Sequence, residues 1–261
     1  MLPDEWRKVD FSPLVDRAVS DMTKGKKKGG RKIFVRVGGQ SGAGKSTQLI
    51  PMVEEYFREL GVDPVMVTTR AFVKYHPYLK EIMETVAEEN LREATHEFAV
   101  QMLFEVLLGL IEAGYPTVLD VTLLDPKIER LLTEALLAEG YESELHMMAV
   151  AKEISDQFIR KREGGSAEGK RKVRKGTSGE FMRATPLALK YYAERMPEMG
   201  VTMWSAWEEE PVYNGRMGEA EAFEVWERYQ GVKELPFETD EEKLREAKKE
   251  WGRKKARGWR A

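Results

Sequence analysis

Apolar positions along the chain form short runs separated by longer stretches of helical period. "KIFVRV" (32–37), "PVMVTT" (64–69), "PTVLDVT" (116–122), residues 144–150 and "GVTMWSAW" (200–207) read as five strands, with "EEEPVYNG" after the last as a short hairpin. Helices are predicted between them. The first covers residues 11–24, with Ser12 as N-cap, Pro13 at the first helical position and Leu14, Val15, Ala18, Val19 and Met22 as its apolar side. The others are "KSTQLIPMVEEYFREL" (45–60), the long apolar "ATHEFAVQMLFEVLLGLIEAG" (94–114), residues 126–140 behind an Asp125 N-cap, and "KEISDQFIRKREGG" (152–165). Pro51 lies inside the second of these and should bend it or shorten its first turns. Strands that alternate with helices imply parallel crossovers. The expected fold is α/β, a doubly wound, mainly parallel sheet of about five strands with helices on both faces.

The first strand runs into Gly39-Gln40-Ser41-Gly42-Ala43-Gly44-Lys45-Ser46-Thr47, which has P-loop spacing. The glycines allow backbone geometries closed to other residues and bring N–H groups close to an anion. A helix starting there favours a phosphate. Lys45 can reach terminal phosphates, and the Ser46 hydroxyl can bind Mg²⁺. Strand, loop and helix in this order make residues 39–47 the candidate nucleotide-binding segment of a P-loop NTPase or kinase, with ATP or GTP and Mg²⁺ as cofactors.

Composition narrows the picture. The 261 residues suffice for one large α/β domain, read here as residues 1–231, followed by a charged helical and basic extension, 232–261. One-third of the residues are charged, yet the net charge is only −3, so global charge points neither to nucleic acid nor to a membrane. There is no cysteine, which excludes disulfides and thiolate metal sites and suits the cytoplasm. No N-terminal signal pattern is visible. "WGRKKARGWR" (251–260) interleaves aromatic and basic residues; a solvated tail is preferred to an RNA contact.

Candidate acceptor chemistry lies past the strand ends. Asp120, at the end of the third strand, could hold a Mg²⁺-bound water, take a proton from an acceptor hydroxyl or hydrogen-bond the acceptor, or could simply cap the turn. Thr122 shares its loop. Residues 157–185 are strongly basic and glycine-rich and read as a lid; Arg160, Arg162 and Arg183 border it and are candidates for neutralising a transferred phosphoryl group. A solvated basic loop is the preferred account of residues 170–175. His76, His96 and His146 lack metal-ligand spacing; His76 is a turn element that could also line the acceptor cleft.

Several of these stretches, in order, resemble the zeta toxin family, the kinase halves of bacterial toxin–antitoxin pairs. They are "MTKGKKKGGRKIFVRVGGQSGAGKST", "AFVKYHPYL", "GYPTVLDVTLLD", "FMRATP" and "VYN", spread over roughly residues 8–230. The resemblance implies ATP- or GTP-dependent phosphorylation of a UDP-N-acetylamino-sugar hydroxyl, most often that of UDP-N-acetylglucosamine. By matching positions it assigns Lys45 and Ser46 to the nucleotide phosphates and Mg²⁺. It assigns Asp120 and Thr122 to the substrate, together with the Phe72 and His76 segment, and Arg183 to phosphate stabilisation with Arg160 or Arg162 as its partner. It also implies a small helical antitoxin packing on the N-terminal helix. One departure stands out. The family carries Asp-x-Asp before its Phe, the second Asp serving as general base, whereas this chain reads Thr68-Thr69-Arg70-Ala71-Phe72. Arginine stays protonated and cannot take a proton from a hydroxyl. Three readings follow: Asp120 is the base; or the acceptor is anionic and Arg70 binds it; or nucleotide binds without efficient transfer, as in a pseudo-kinase. A nucleotide- or RNA-directed kinase is a further alternative.

Overall fold

The structure is a computed structural model and describes residues 5–28, 30–120, 126–164, 177–208 and 210–231. Helix α1 spans Ser12–Thr23, β1 Ile33–Gly38, α2 Leu49–Glu59, β2 Val65–Thr68, α3 Leu79–Thr85, α4 Leu91–Glu112 and β3 Thr117–Asp120. Then come α5 Pro126–Ala138, β4 Glu142–Met148, α6 Lys152–Gly164, α7 Thr177–Arg195, β5 Gly200–Trp204, β6 Tyr213–Arg216 and α8 Ala220–Gln230. The sheet has six strands in the order β2-β3-β1-β4-β5-β6. The first five are parallel, and β6 closes the edge antiparallel to β5, the expected hairpin supplying the sixth strand.

Register fixes the two faces, because neighbours at one level point the same way. Phe34, Arg36, Leu119, Leu145, Met147, Val201 and Met203 share one face. Helices α1, α4 and α5 bury apolar residues against its β1–β3 half, and α7 and α8 cover the β4–β6 half. On the other face Val35, Val37, Val118, Met148 and Trp204 meet α2 and α6. Half of the apolar window of α4 is buried within the fold. Its length and composition are those of a membrane-crossing helix, but it carries Phe98, Met102, Leu103, Val106 and Leu110 into the core.

Three expectations about local structure change. The N-cap of α1 is Phe11 rather than Ser12; Ser12 is already helical, and its N–H donates to Asp10 Oδ1 at 3.0 Å. The helix behind the glycine loop is not continuous. Lys45–Thr47 form a 3₁₀ turn, Gln48 leaves helical geometry at φ −126°, and α2 begins at Leu49. Pro51 explains this, since in an unbroken α-helix its ring would press on the Thr47 carbonyl four residues back, and it has no N–H to donate. Finally, the ends of the segment read as a lid are helical: residues 157–164 complete α6, and 177–185 begin α7. Residues 165–176 and the extension 232–261 lie outside the described residues, as do Thr122 and Asp125.

Candidate active site

The loop from Gly39 to Gly44 sits at the carboxyl end of β1, where the strand order reverses between β3 and β4. Gly39, Gly42 and Gly44 all have positive φ, at 137°, 83° and 102°. At Gly42 the need for glycine is also spatial. A Cβ there would lie 2.5 Å from the Ser155 carbonyl oxygen and 2.9 Å from Ile159 Cγ1, so the loop is pressed directly onto α6. Gln40 fastens the same contact from beneath. It is 1% exposed, and its amide donates to the Val150 carbonyl at 2.5 Å and to Ser155 Oγ at 2.7 Å. The Ala43 N–H closes the turn onto Gln40 O at 3.2 Å. These restraints fix the path of the loop backbone, with the Lys45 side chain lying against Gly39 and Gln48 against Gly44; a loop of this kind is suited to a polyphosphate.

Lys45 folds over this cradle and donates to the Gly39 carbonyl. Its ammonium therefore lies at the loop itself, within reach of a phosphate bound there. Ser46 and Thr47 are exposed, and Thr47 Oγ1 donates to the Gly44 carbonyl at 3.1 Å. The residues present thus fit a nucleotide's phosphates, with the Ser46 hydroxyl open to a divalent cation. Among the described residues no cluster of three or more His, Asp or Glu could hold a metal by itself.

The acceptor candidates divide. Asp120 ends β3 in register with Val37 of β1 on one side and Thr68 of β2 on the other. It is half-buried, on the α2 face, one strand from the cradle. Arg70 lies just past the end of β2 on the 3₁₀ turn Thr69–Tyr75 and is exposed. These two therefore stand at adjacent strand ends. Phe72, expected among the acceptor contacts, is fully buried and belongs to the core with Tyr75, Phe98 and Leu103. Its buried ring anchors the turn that presents Arg70, because a packed aromatic of that size contributes strongly to the core. His76 is also interior, 4% exposed, with its ring 4.5 Å from that of Phe98. Its Nδ1 accepts from the Tyr78 N–H at 3.2 Å, while its buried Nε2 has no partner among the described residues. Burial holds the His76 pKa below its ordinary value, against an opposing pull from Glu81. Arg160 is exposed on α6; Arg162 lies further along α6 and Arg183 on α7, so their helices, though not their side chains, are placed.

Two groups of polar residues escaped the sequence reading. On the α2 face Glu144 accepts from Tyr56 Oη at 2.6 Å and pairs with His146 Nε2 at 3.0 Å. Burial raises the Glu144 pKa, but the contacts with His146 and Tyr56 outweigh it and leave the carboxyl below its ordinary value. On the opposite face Arg36 is buried in the middle of β1. The only signal for it was a charged residue inside the apolar run "IFVRV". A groove of about 460 Å³ between the Glu5–Lys8 turn, α4 and the start of α5 contains none of the candidate residues.

With this geometry in place, comparisons with known proteins are informative. The family profile described as "Zeta toxin" matches residues 16–215. Toxin PezT of Streptococcus pneumoniae is 27% identical over 151 residues, 58% of this chain and 58% of that protein. Toxin zeta of Enterococcus hirae is 24% identical over 146 residues, 54% of this chain and 49% of that protein, so each alignment spans about half of the relative's length. Among solved structures, one from the PezAT chromosomal toxin–antitoxin system of S. pneumoniae superposes with a TM-score of 0.65 at 19% identity, covering 96% of this chain and 98% of that one. A chain of the AvrRxo1-ORF1:-ORF2 complex with ATP gives 0.54 at 14% identity, covering 87% and 73%. At these identities the structures establish the fold.

Proposed function

The chain belongs to the zeta toxin family, and from that premise we propose that it is an ATP- or GTP-dependent phosphotransferase acting on a hydroxyl of a small metabolite, with a UDP-N-acetylamino-sugar as the first acceptor to try. The observation that carries this reading is the juxtaposition of a glycine cradle, closed by Lys45, with the Asp120 carboxylate one strand away, at the carboxyl edge where the sheet reverses direction.

In this reading the N–H groups of residues 39–47 bind the phosphates and Lys45 neutralises their terminal charge. Ser46 is the group that would hold Mg²⁺, which supplies charge neutralisation when bound. Asp120 is proposed to receive the acceptor's proton, since the expected base position holds Arg70. Arg70 instead offers its fork to an anionic part of the acceptor, such as a diphosphate. Arg160, Arg162 and Arg183, on the two helices that border residues 165–176, are proposed to gather over the transferred group. The AvrRxo1 complex that shares the fold was solved with ATP, which supports an adenine nucleotide as donor. Similarity to PezT, half of a toxin–antitoxin system, supports a small helical antitoxin, proposed to pack on α1. A cytoplasmic location is proposed on the same grounds.

The test is incubation with labelled ATP and Mg²⁺ against a metabolite extract, followed by a mass search for a gain of one phosphate. A phosphorylated acceptor, absent with Lys45→Ala, supports the proposal. ATP binding with no turnover on any acceptor sinks the transferase and leaves a nucleotide-binding switch, the reading that Arg70 at the base position favours.

A further inference from the structure

Arg36 is a charged residue in the middle of the central strand, 1% exposed, between two apolar clusters. Its neighbours in the sheet are Leu119 and Leu145. Above it stand α5 and α7. Its Nε donates to Glu129 Oε2 at 3.4 Å and its Nη2 to Thr133 Oγ1 at 3.3 Å, both on α5. Its guanidinium carbon lies 5.0 Å from the centre of the Tyr192 ring on α7, and the Tyr192 hydroxyl donates to the same Glu129 oxygen at 2.5 Å. Arg36, Glu129 and Tyr192 thus close a loop of contacts through β1, α5 and α7. Burial, with the Glu129 carboxylate beside it, raises the Tyr192 hydroxyl well above the ordinary phenol range, so it remains a donor.

Stability is a poor explanation for such an arrangement. Removing two charges from water is costly, and replacing a buried pair with well-packed apolar residues is often neutral or stabilising. Here one guanidinium nitrogen, Nη1, also has no partner among the described residues. What the contacts do supply is direction. An apolar seam lets helices slide or rotate, whereas these hydrogen bonds are met at one register only. Each joined element leads to a different part of the proposed site. Three residues beyond Arg36, β1 has become the glycine loop; α5 follows the residues after Asp120; α7 carries Arg183, nine residues or about 14 Å before Tyr192 along the helix.

We propose that Arg36 is a positioning residue, which through Glu129 and Tyr192 sets α5 and α7 against the strand that carries the phosphate cradle. Its bearing on turnover rests on the phosphotransferase reading; its bearing on helix placement does not. The experiment separates the two. The chain has no cysteine, so Leu131→Cys on α5 and Leu187→Cys on α7, both exposed in the wild type, take a pair of nitroxide labels at defined sites. The spin–spin distance distribution is then measured with the network intact and with Arg36→Met, Glu129→Leu and Tyr192→Phe combined. The expected result is a folded protein with unchanged nucleotide affinity, a visibly broader distribution and a kcat at least tenfold lower with little change in acceptor KM. Glu134→Ala, which removes only the surface contacts of α5 with Arg195 and Tyr191, should leave both readouts near wild type. If the triple variant does not fold, Arg36→Lys, which keeps the charge and loses the fork, is read in the same way. An unchanged distribution overturns the proposal, as does a kcat that survives in a folded variant. If the wild type itself turns nothing over, the function fails and the distances alone decide the role of Arg36.

Discussion

Gly42 and Arg70 stand at the same edge of the sheet, on the nucleotide and acceptor sides of the proposed site, and are constrained in opposite ways. Gly42 cannot be exchanged: its φ is 83° and a Cβ would meet the Ser155 carbonyl at 2.5 Å. Arg70 extends into solvent from a 3₁₀ turn anchored by the buried Phe72 and Tyr75. The nucleotide side is built of backbone, so any chain binding phosphate this way needs the same glycines. On the acceptor side Arg70 is an exposed side chain on a packed support, and such a side chain can change charge without disturbing the fold.

Substitutions can sharpen or break this contrast. The largest effect is expected from Lys45→Ala, a loss of turnover of at least about 100-fold with the melting temperature unchanged. Wild-type rates in that variant would remove Lys45 from the site. Asp120→Asn comes next: a fall of about 10²–10⁴-fold identifies it as the base, while a loss below about fivefold assigns the proton elsewhere and favours an anionic acceptor. Gly42→Ala should cost about 1–3 kcal/mol in chemical denaturation and weaken ATP binding by calorimetry. If instead stability and affinity both hold, the cradle is less constrained than the geometry implies. Arg70→Ala should raise the acceptor KM about tenfold while leaving nucleotide affinity alone, and an unchanged KM would detach Arg70 from the acceptor.

The smallest effect concerns pH. His76 is buried and its pKa lies below that of an unfolded chain. As pH falls through about 6.5, the unfolded state takes up the proton first, so stability declines on acidification. Thermal melts between pH 7.5 and 5.5 should show this decline in the wild type and less of it in His76→Gln. An equal slope in both would show that His76 titrates alike folded and unfolded.

How much was legible beforehand follows from what each feature needs. Strand and helix order could be read from apolar periodicity, and the glycine loop from its spacing. The break at Gln48 was foreshadowed by Pro51, because the clash of a proline ring is local. The internal helix α7 was missed, since Pro186 and a basic, glycine-rich approach obscure it. The burial of Phe72 could not be foreseen, because a motif position does not reveal which way an aromatic ring turns. Arg36 went unread because its partners, Glu129 and Tyr192, are 93 and 156 residues distant along the chain.

By itself, then, the sequence determined whatever depends on neighbours in the chain: the alternation of elements, the glycine-built anion cradle and the arginine where a carboxylate was expected. Tertiary structure alone decided what depends on residues far apart. It placed Asp120 beside Val37 and Thr68, pressed Gly42 onto α6, sent Phe72 and His76 into the core, and closed Arg36, Glu129 and Tyr192 into one network. The division has a simple cause. Backbone conformation and side-chain period are properties of adjacent residues, whereas burial and pairing exist only once the sheet brings distant strands and helices together.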